Sequence, residues 1–296
     1  MLHFIRFILW IIEFLYICSA CASTFKTIMA KDLRKLIILI VMMLSIQSIY
    51  AQLGISHEIG AFIGPVAFQS DFGVRRDFET NSGNTGIAVG IVHYLNFAFR
   101  SDCNCYTTDT YFNDHFKLRT EISWNKTKLE HFGKWVGSDR TTIEADQLRA
   151  HSGEAQNWDI GTQLEFFPLS IREYVAGGFN FAPFGAIGAH FVSFNPSVET
   201  TYGLDGGINN LDNFYSGWNA VAEGDSFISD KSGSTWSVVT SIGTRYRLSL
   251  SSDLLLELRW QYYFDDFIDG LDHKLDSNKA NDWNLWFNFG YIYYID

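Results

Sequence analysis

The sequence predicts an all-β fold, an eight-stranded antiparallel up-and-down transmembrane β-barrel preceded by a cleavable signal segment. Three observations lead there. From Leu53 onward apolar and polar residues alternate with period two in repeated runs, and no stretch holds a helical period for three turns. Tyrosine and tryptophan gather towards the ends of those runs. The connections between runs are alternately long and short, as in barrels that present long loops on one side of a membrane.

Composition sets the outer bounds. With 296 residues, 47% hydrophobic, 17% aromatic and 19% charged, the chain can bury a core and is no disordered polyelectrolyte. Its 22 basic against 33 acidic residues give a net charge of -11, which excludes a general nucleic-acid-binding surface.

Two apolar runs open the chain, Phe7 to Ile17 and Leu36 to Ile46, each shorter than the roughly 20 residues of a membrane-spanning helix. The second is preceded by Lys31, Arg34 and Lys35 and followed by Ser48-Ile49-Tyr50-Ala51, the arrangement of an export signal cut after Ala51. The first also has signal character through Ala20-Cys21-Ala22. Because Met29 opens a complete signal by itself, residues 1–28 read as an upstream start extension and 29–51 as the signal peptide. The remaining body, 52–296, carries 17 basic and 31 acidic residues, a net of -14.

The strands follow in order. Weaker alternation covers about 54–68, 84–97 and 179–194. Phe116, Leu118, Thr120, Ile122 and Trp124 oppose Lys117, Arg119, Glu121, Ser123 and Asn125, and Trp158, Ile160, Thr162, Leu164 and Phe166 oppose Asp159, Gly161, Gln163 and Glu165. Trp236, Val238, Thr240, Ile242, Thr244, Tyr246 and Leu248 form one face of 236–248, with Arg245 and Arg247 on the other. Residues 254–264 set Leu254, Leu256, Leu258, Trp260, Tyr262 and Phe264 against Glu257, Arg259 and Gln261. The last strand presents Trp283, Leu285, Phe287, Phe289, Tyr291 and Tyr293 without a break. Pro65, Pro168, Pro183 and Pro196 fall near the proposed strand ends, where a missing amide donor is tolerated.

Long connections are expected at 69–83, 127–153, 195–233 and 267–281, and shorter ones at 169–178 and 249–252. The 96–114 turn is an unusually long member of the second set, and both termini of the mature chain lie on its side. A soluble lipocalin-like barrel shares the alternation. Strand length, the aromatic ends and mixed charges on the polar face favour the membrane form, with the apolar face outward against lipid.

Eight strands enclose a space that side chains fill. Lys117, Arg119, Glu121, Asp159, Glu165, Arg245, Arg247, Glu257 and Arg259 are therefore the candidates for a buried ion-pair ladder in the lumen. Cys103-Asn104-Cys105 lies in the long turn. Such a C-x-C pair suits a strained bridge or a soft metal, but with no second cysteine pair or histidine cluster nearby no metal is assigned. Asp265, Asp266, Asp269 and Asp272 could hold Ca²⁺, although the expected state is a solvated acidic loop. His57, His93 and His115 read as isolated histidines. His151-Ser152 is the one His–Ser pair that a lipid-modifying enzyme could use, yet neighbours on one strand rarely face one substrate. No Walker loop, G-x-G-x-x-G, G-x-S-x-G or H-E-x-x-H occurs, so no catalytic, cofactor-binding or metal residues are assigned.

Several short segments, in order, resemble an outer-membrane β-barrel family of Bacteroidota that includes the PorG component of the type IX secretion system. They are Ile59-Gly60-Ala61-Phe62-Ile63-Gly64, Phe116-Lys117-Leu118-Arg119, Leu164-Glu165-Phe166-Phe167, Phe181-Ala182-Pro183-Phe184, Phe194-Asn195-Pro196, Tyr263-Phe264-Asp265-Asp266-Phe267-Ile268-Asp269 and Asn281-Asp282-Trp283. The resemblance covers about 54–295. It implies one closed barrel in the Gram-negative outer membrane with periplasmic termini. It also implies a non-enzymatic role as anchor or accessory subunit of a protein-secretion complex, with outer-membrane lipid and periplasmic secretion-machinery proteins as partners. Cys103, Asn104 and Cys105 in the inserted turn are then the contact candidates. The other readings are a lipid A-modifying outer-membrane enzyme and a narrow channel.

Overall fold

The computed structural model describes residues 55–74, 77–98, 111–203, 207–218, 226–273, 275–276 and 280–295. The export segment and Cys103-Asn104-Cys105 lie outside the described residues. Among the described residues there are nine strands: β1 (Ser56–Gln69), β2 (Thr85–Asn96), β3 (Phe116–Glu130), β4 (His151–Phe166), β5 (Phe181–Phe194), β6 (Ser197–Thr200), β7 (Gly233–Ser249), β8 (Ser252–Tyr263) and β9 (Trp283–Tyr294). All pairings are antiparallel. Their order is β3-β2-β1-β9-β8-β7-β5-β4, and β3 also pairs with β4, so the sheet closes on itself as an eight-stranded barrel. The ninth strand, β6, resumes the line of β5 after Asn195-Pro196 and pairs with the first four residues of β4.

Period-two alternation becomes an inside and an outside. On β9, Asn284, Trp286, Asn288 and Ile292 are buried in the barrel while Leu285, Phe287, Phe289, Tyr291 and Tyr293 face out. The outward aromatics sort by rim. Trp124 lies against Trp158, and Phe191 against Trp236, towards the end that carries the long connections. Phe116 lies against Phe166, and Phe181 against Tyr246, towards the end where β1 begins and β9 finishes. We call these the loop rim and the terminal rim.

Two expectations need correction. β3 and β4 run further into the loop rim than the alternation suggested, to Glu130 and back to His151. Their added outward residues are polar, with Lys126 bridging Glu154 at 2.6 Å, so they do not read as an apolar face. Pro65 lies inside β1 and not at its end. The β1–β9 ladder passes from Ile63↔Phe289 to Val66↔Trp286 without pairing at Gly64 or Pro65, which spares the missing proline amide.

Gly64 is required where β9 passes closest, because a Cβ there would sit 2.0 Å from the Phe287 carbonyl oxygen. Gly64→Val is expected to cost about 1–3 kcal/mol, read as an earlier midpoint in urea unfolding. An unchanged midpoint would mean that β9 yields.

Among the described residues, four short α-helices decorate the connections: α1 (Phe78–Asn81), α2 (Tyr111–His115), α3 (Ile143–Ala150) and α4 (Ile171–Ala176). Of these, α4 shapes the lumen. Ser170 caps it by accepting from the Glu173 amide, and Gly177 ends it with φ 92, a left-handed position that suits glycine. Ile171 and Tyr174 are thereby set into the terminal mouth of the barrel, in one apolar cluster with Phe167, Ala98, Ala182 and Phe184.

Candidate functional site

Four cations and four carboxylates meet inside the barrel as a continuous chain. Lys117 contacts Glu58 at 2.5 Å, and Glu58 contacts Arg245 at 2.6 Å. Arg245 reaches Glu165 at 2.9 Å, and Glu165 meets Arg119 at 3.4 Å. Arg119 also bonds Glu257 at 2.9 Å and Glu121 at 2.7 Å, and Arg259 closes the set on Glu121 at 2.6 Å and Glu257 at 3.2 Å. All eight side chains are buried. Charges withdrawn from water this far need paired, hydrogen-bonded partners, and the equal count of signs supplies them.

Of the nine candidates, seven join this chain. Asp159 is buried nearby, but it accepts hydrogen bonds from Gln261 at 2.6 Å and Asn125 at 3.4 Å and makes no ion pair in the chain. Arg247 is a correction. It lies near the end of β7, at the terminal rim, donates to the Val175 carbonyl and stacks over Tyr174. Glu58 was missed although it holds both Lys117 and Arg245. Its signal was a single acidic residue on the otherwise apolar and glycine-bearing inner face of β1.

Aromatic rings complete the ladder. Arg245 lies 4.2 Å over Tyr94, and Arg259 lies 4.9 Å over Trp286 and 5.0 Å over Phe62. The Nε atoms of Arg119, Arg245 and Arg259 have no hydrogen-bond acceptor, and the facing rings offset part of that cost through cation–π attraction.

Above the ladder the inner face turns neutral and polar. Asn284 donates to the Tyr263 hydroxyl at 2.6 Å, Trp286 to Asn284 at 2.5 Å, and Gln261 to Ser237 at 2.9 Å. Above that lies a second apolar cluster, with Phe68, Phe72, Leu129, Phe194, Val198, Phe214, Trp218, Ile268 and Leu271 drawn from strands and loops alike. The lumen is thus ionic in the middle and apolar at both ends among the described residues.

The loop-rim cap also corrects the expected solvated acidic loop. Asp266, Asp269 and Asp272 are buried, joined by Asp71 from the β1–β2 connection and Asp282 at the start of β9. Asp269 accepts from the Asp71 amide at 2.9 Å and the Leu271 amide at 2.8 Å, while Asp71 accepts from the His273 amide at 2.9 Å. These bonds tie the first long connection to the last. Burial, reinforced by the charges of Asp269 and Asp266, pushes the Asp71 carboxyl well above the usual range. Burial likewise raises Asp269 against the opposing Leu271 amide bond, and raises Asp282, reinforced by the charges of Asp269 and Asp71. A cavity of about 240 Å³ opens beside the cluster, lined by Asp71, His131, Trp135, Tyr215, Trp218 and His273 among others.

Four histidines form two pairs, while His115 meets no histidine and lies 2.6 Å from the Phe167 carbonyl. His57 Nδ1 and His93 Nε2 are 3.0 Å apart on the outer face, and His131 Nε2 and His151 Nδ1 are 2.9 Å apart in the cap. His151 is buried against Phe72, with ring centroids 4.6 Å apart. Ser152, the next residue on β4, points to the opposite face, so the two do not form a His–Ser dyad.

No family model matches the sequence, and no curated protein is similar to it. Solved structures with a similar backbone include bacterial outer-membrane proteins. Neisserial surface protein A is 11% identical, with a TM-score of 0.40 over 80% of this chain and 96% of that chain. OprG from Pseudomonas aeruginosa is 11% identical, with a TM-score of 0.40 over 82% and 98%. A major outer membrane protein from Thermus thermophilus is 13% identical, with a TM-score of 0.41 over 81% and 100%. Likeness at this level says nothing of function.

Proposed function

We propose that this chain is a non-enzymatic barrel of the Gram-negative outer membrane, acting as an anchor or accessory subunit of a protein-secretion complex of the type IX kind. One observation carries the membrane reading. The outward face is apolar on every barrel strand, with Ile63, Ile91, Ile122, Ile160, Ile187, Ile242, Leu256 and Phe289 all exposed between the two aromatic rims. From Trp283 to Tyr293 the belt runs roughly 33 Å along the strand, close to the band of about 25 Å once strands tilt as they do in such barrels. A surface of this kind has no place in water.

The filled lumen argues for an anchor over a channel. An ionic ladder between two apolar seals leaves the rims as the working surfaces. The residue resemblance points to the terminal rim, taken as periplasmic, where the 97–115 connection with Cys103, Asn104 and Cys105 is the partner-contact candidate. The lipid A-modifying reading loses its His–Ser pair, since His151 is buried and Ser152 faces away.

The membrane arm is tested by heat-modifiable migration of the refolded mature chain on a gel, which is expected, and by its purification without detergent, which would sink it. Planar bilayers are expected to show no single-channel steps, and regular steps altered by Arg259→Ala would favour a pore. The secretion arm is tested by cross-linking from the 97–115 turn in cells. Capture of periplasmic secretion-ring proteins, lost on deleting 100–112, is expected.

A further inference from the structure

We propose that α2 is a membrane foot: Tyr111 and Phe112 seat it in the headgroup region of the leaflet at the terminal rim, so that the 97–115 connection rejoins the barrel along the lipid surface. The inference rests on the membrane reading above and goes beyond it, since α2 is no part of the strand belt. Both rings are exposed, Tyr111 by 65% and Phe112 by 47%, on a segment that precedes the first residue of β3. Two large uncovered aromatic rings side by side mark a surface that meets something other than water.

A helix this short has no stability of its own in water and takes its orientation from what it packs on. Asp114 accepts from the Arg172 amide at 3.1 Å, and the Phe167 amide donates to the His115 carbonyl at 2.7 Å. His115 Nδ1 also lies 2.6 Å from the Phe167 carbonyl, and Arg172 Nε donates to the Ala98 carbonyl at 2.8 Å. The start of α4 and the end of β4 thus hold α2 from one side. Tyr111 stacks on His115 at 4.1 Å and Phe112 on Phe116 at 4.8 Å, which leaves both rings on the outer side.

The occupant follows from continuity. Phe116 is outward at the start of β3 and meets Phe166, outward at the end of β4, at 5.2 Å. Phe112 also meets Phe97, just past the end of β2, at 5.7 Å. Phe166, Phe116, Phe112 and Phe97 therefore form one row around the outside of the wall, on the same three strands that expose Ile160, Ile122 and Ile91 further up. Whatever surrounds the belt surrounds this row. A protein arriving along the barrel axis would meet α4 instead, because Ile171 and Tyr174 fill the mouth. Aromatic side chains at the border of hydrocarbon and water are what a bilayer interface selects, and the Tyr111 hydroxyl suits headgroup level. Amphipathic segments of this kind sink about 5–10 Å into the interface. The secretion partner proposed above would then meet the turn at the membrane surface.

The test uses the full mature chain with Cys103→Ser and Cys105→Ser, which leaves it without cysteine, refolded into phosphatidylcholine vesicles. Single NBD labels at Tyr111→Cys, Ile187→Cys and Glu173→Cys report α2, the belt and an exposed position on α4. Nitroxide lipids then quench them, with the spin label either just below the headgroup or near the chain end. The Tyr111 label is expected to lose more emission to the shallow nitroxide, the Ile187 label to lose more to the deep one, and the Glu173 label to respond to neither. Adding Phe112→Ser should remove most of the shallow quenching at Tyr111, while heat-modifiable migration shows that the barrel still forms. Quenching unchanged by Phe112→Ser overturns the foot. So does a Tyr111 label that escapes quenching beside a quenched Ile187 label, which leaves the membrane reading standing. A Tyr111 label that is blue-shifted yet untouched by either nitroxide gives the patch to a protein or a second copy and overturns it as well. If the Ile187 label also escapes, the membrane reading falls and takes the foot with it.

Discussion

Glu257→Leu is expected to destabilise the folded barrel by about 3–5 kcal/mol, the usual cost of removing one partner from a buried ion pair. Glu257 accepts from Arg119 at 2.9 Å and 3.3 Å, from Arg259 at 3.2 Å and from Asn288 at 3.0 Å. Without it, four cations of the ladder face three carboxylates in a space closed at both ends by apolar clusters. Leucine fills much of the volume, so the loss is electrostatic more than steric. The double variant Glu257→Leu, Arg259→Leu restores equal numbers, because Arg119 keeps Glu121 at 2.7 Å and Glu165 at 3.4 Å. It should cost less than the sum of its parts, with a coupling of about 0.5–3 kcal/mol. Urea unfolding in lipid vesicles, followed by tryptophan emission, reads both. If Glu257→Leu stayed within about 0.5 kcal/mol of the parent, the ladder would have to be hydrated, and a conducting lumen would return as the better account.

The ladder was legible because charge on the inner face of a strand repeats at every second residue, so Lys117-Arg119-Glu121 and Glu257-Arg259 announce themselves. Glu58 was not, since one acid on a glycine-bearing strand carries no pattern until the β1–β2 and β1–β9 registers bring it to Lys117 and Arg245. Arg247 failed for the opposite reason. Alternation puts it inward, but it lies beyond the last full layer of the ladder on the terminal-rim side, where α4 supplies a carbonyl instead of a carboxylate. The histidine pair His57–His93 needed register too, because His57 stands opposite Leu95 and His93 opposite Ile59, a diagonal relation no local rule exposes.

Burial of the acidic cap was hidden more deeply. The Asp265–Asp272 run looks solvated when read alone, as most acidic loops are. It is buried because Asp71 and Asp282 converge on it and because Phe72, Phe214, Trp218, Phe227, Ile268 and Leu271 cover it with an apolar cluster. Those partners come from four separate stretches of chain. The aromatic excess of the whole sequence was the visible clue, but it marked the two rims and this cap with equal weight.

Ile187→Arg is expected to cost about 2–4 kcal/mol in vesicles, the penalty for a basic residue at the midplane of a transmembrane barrel. Ile187 is 60% exposed and outward on β5, opposite Leu164 on β4 and Thr240 on β7. It lies between Phe181 at the terminal rim and Phe191 at the loop rim, so an arginine there has the longest reach to water in either direction. Gly185 and Ala189 flank it on the same face, and the substitution meets no crowding that could imitate the penalty. Phe181→Arg, at the rim, should cost only about 0–1 kcal/mol on the same scale. A barrel surrounded by water gives a different pattern, because exchanging an exposed isoleucine for arginine there stays within about 0.5 kcal/mol at any height. The depth dependence, and not the size of either value, therefore separates lipid from water around this belt. Two equal and small costs would make the molecule a soluble barrel with an apolar coat, and its ligands would then have to be sought on that coat.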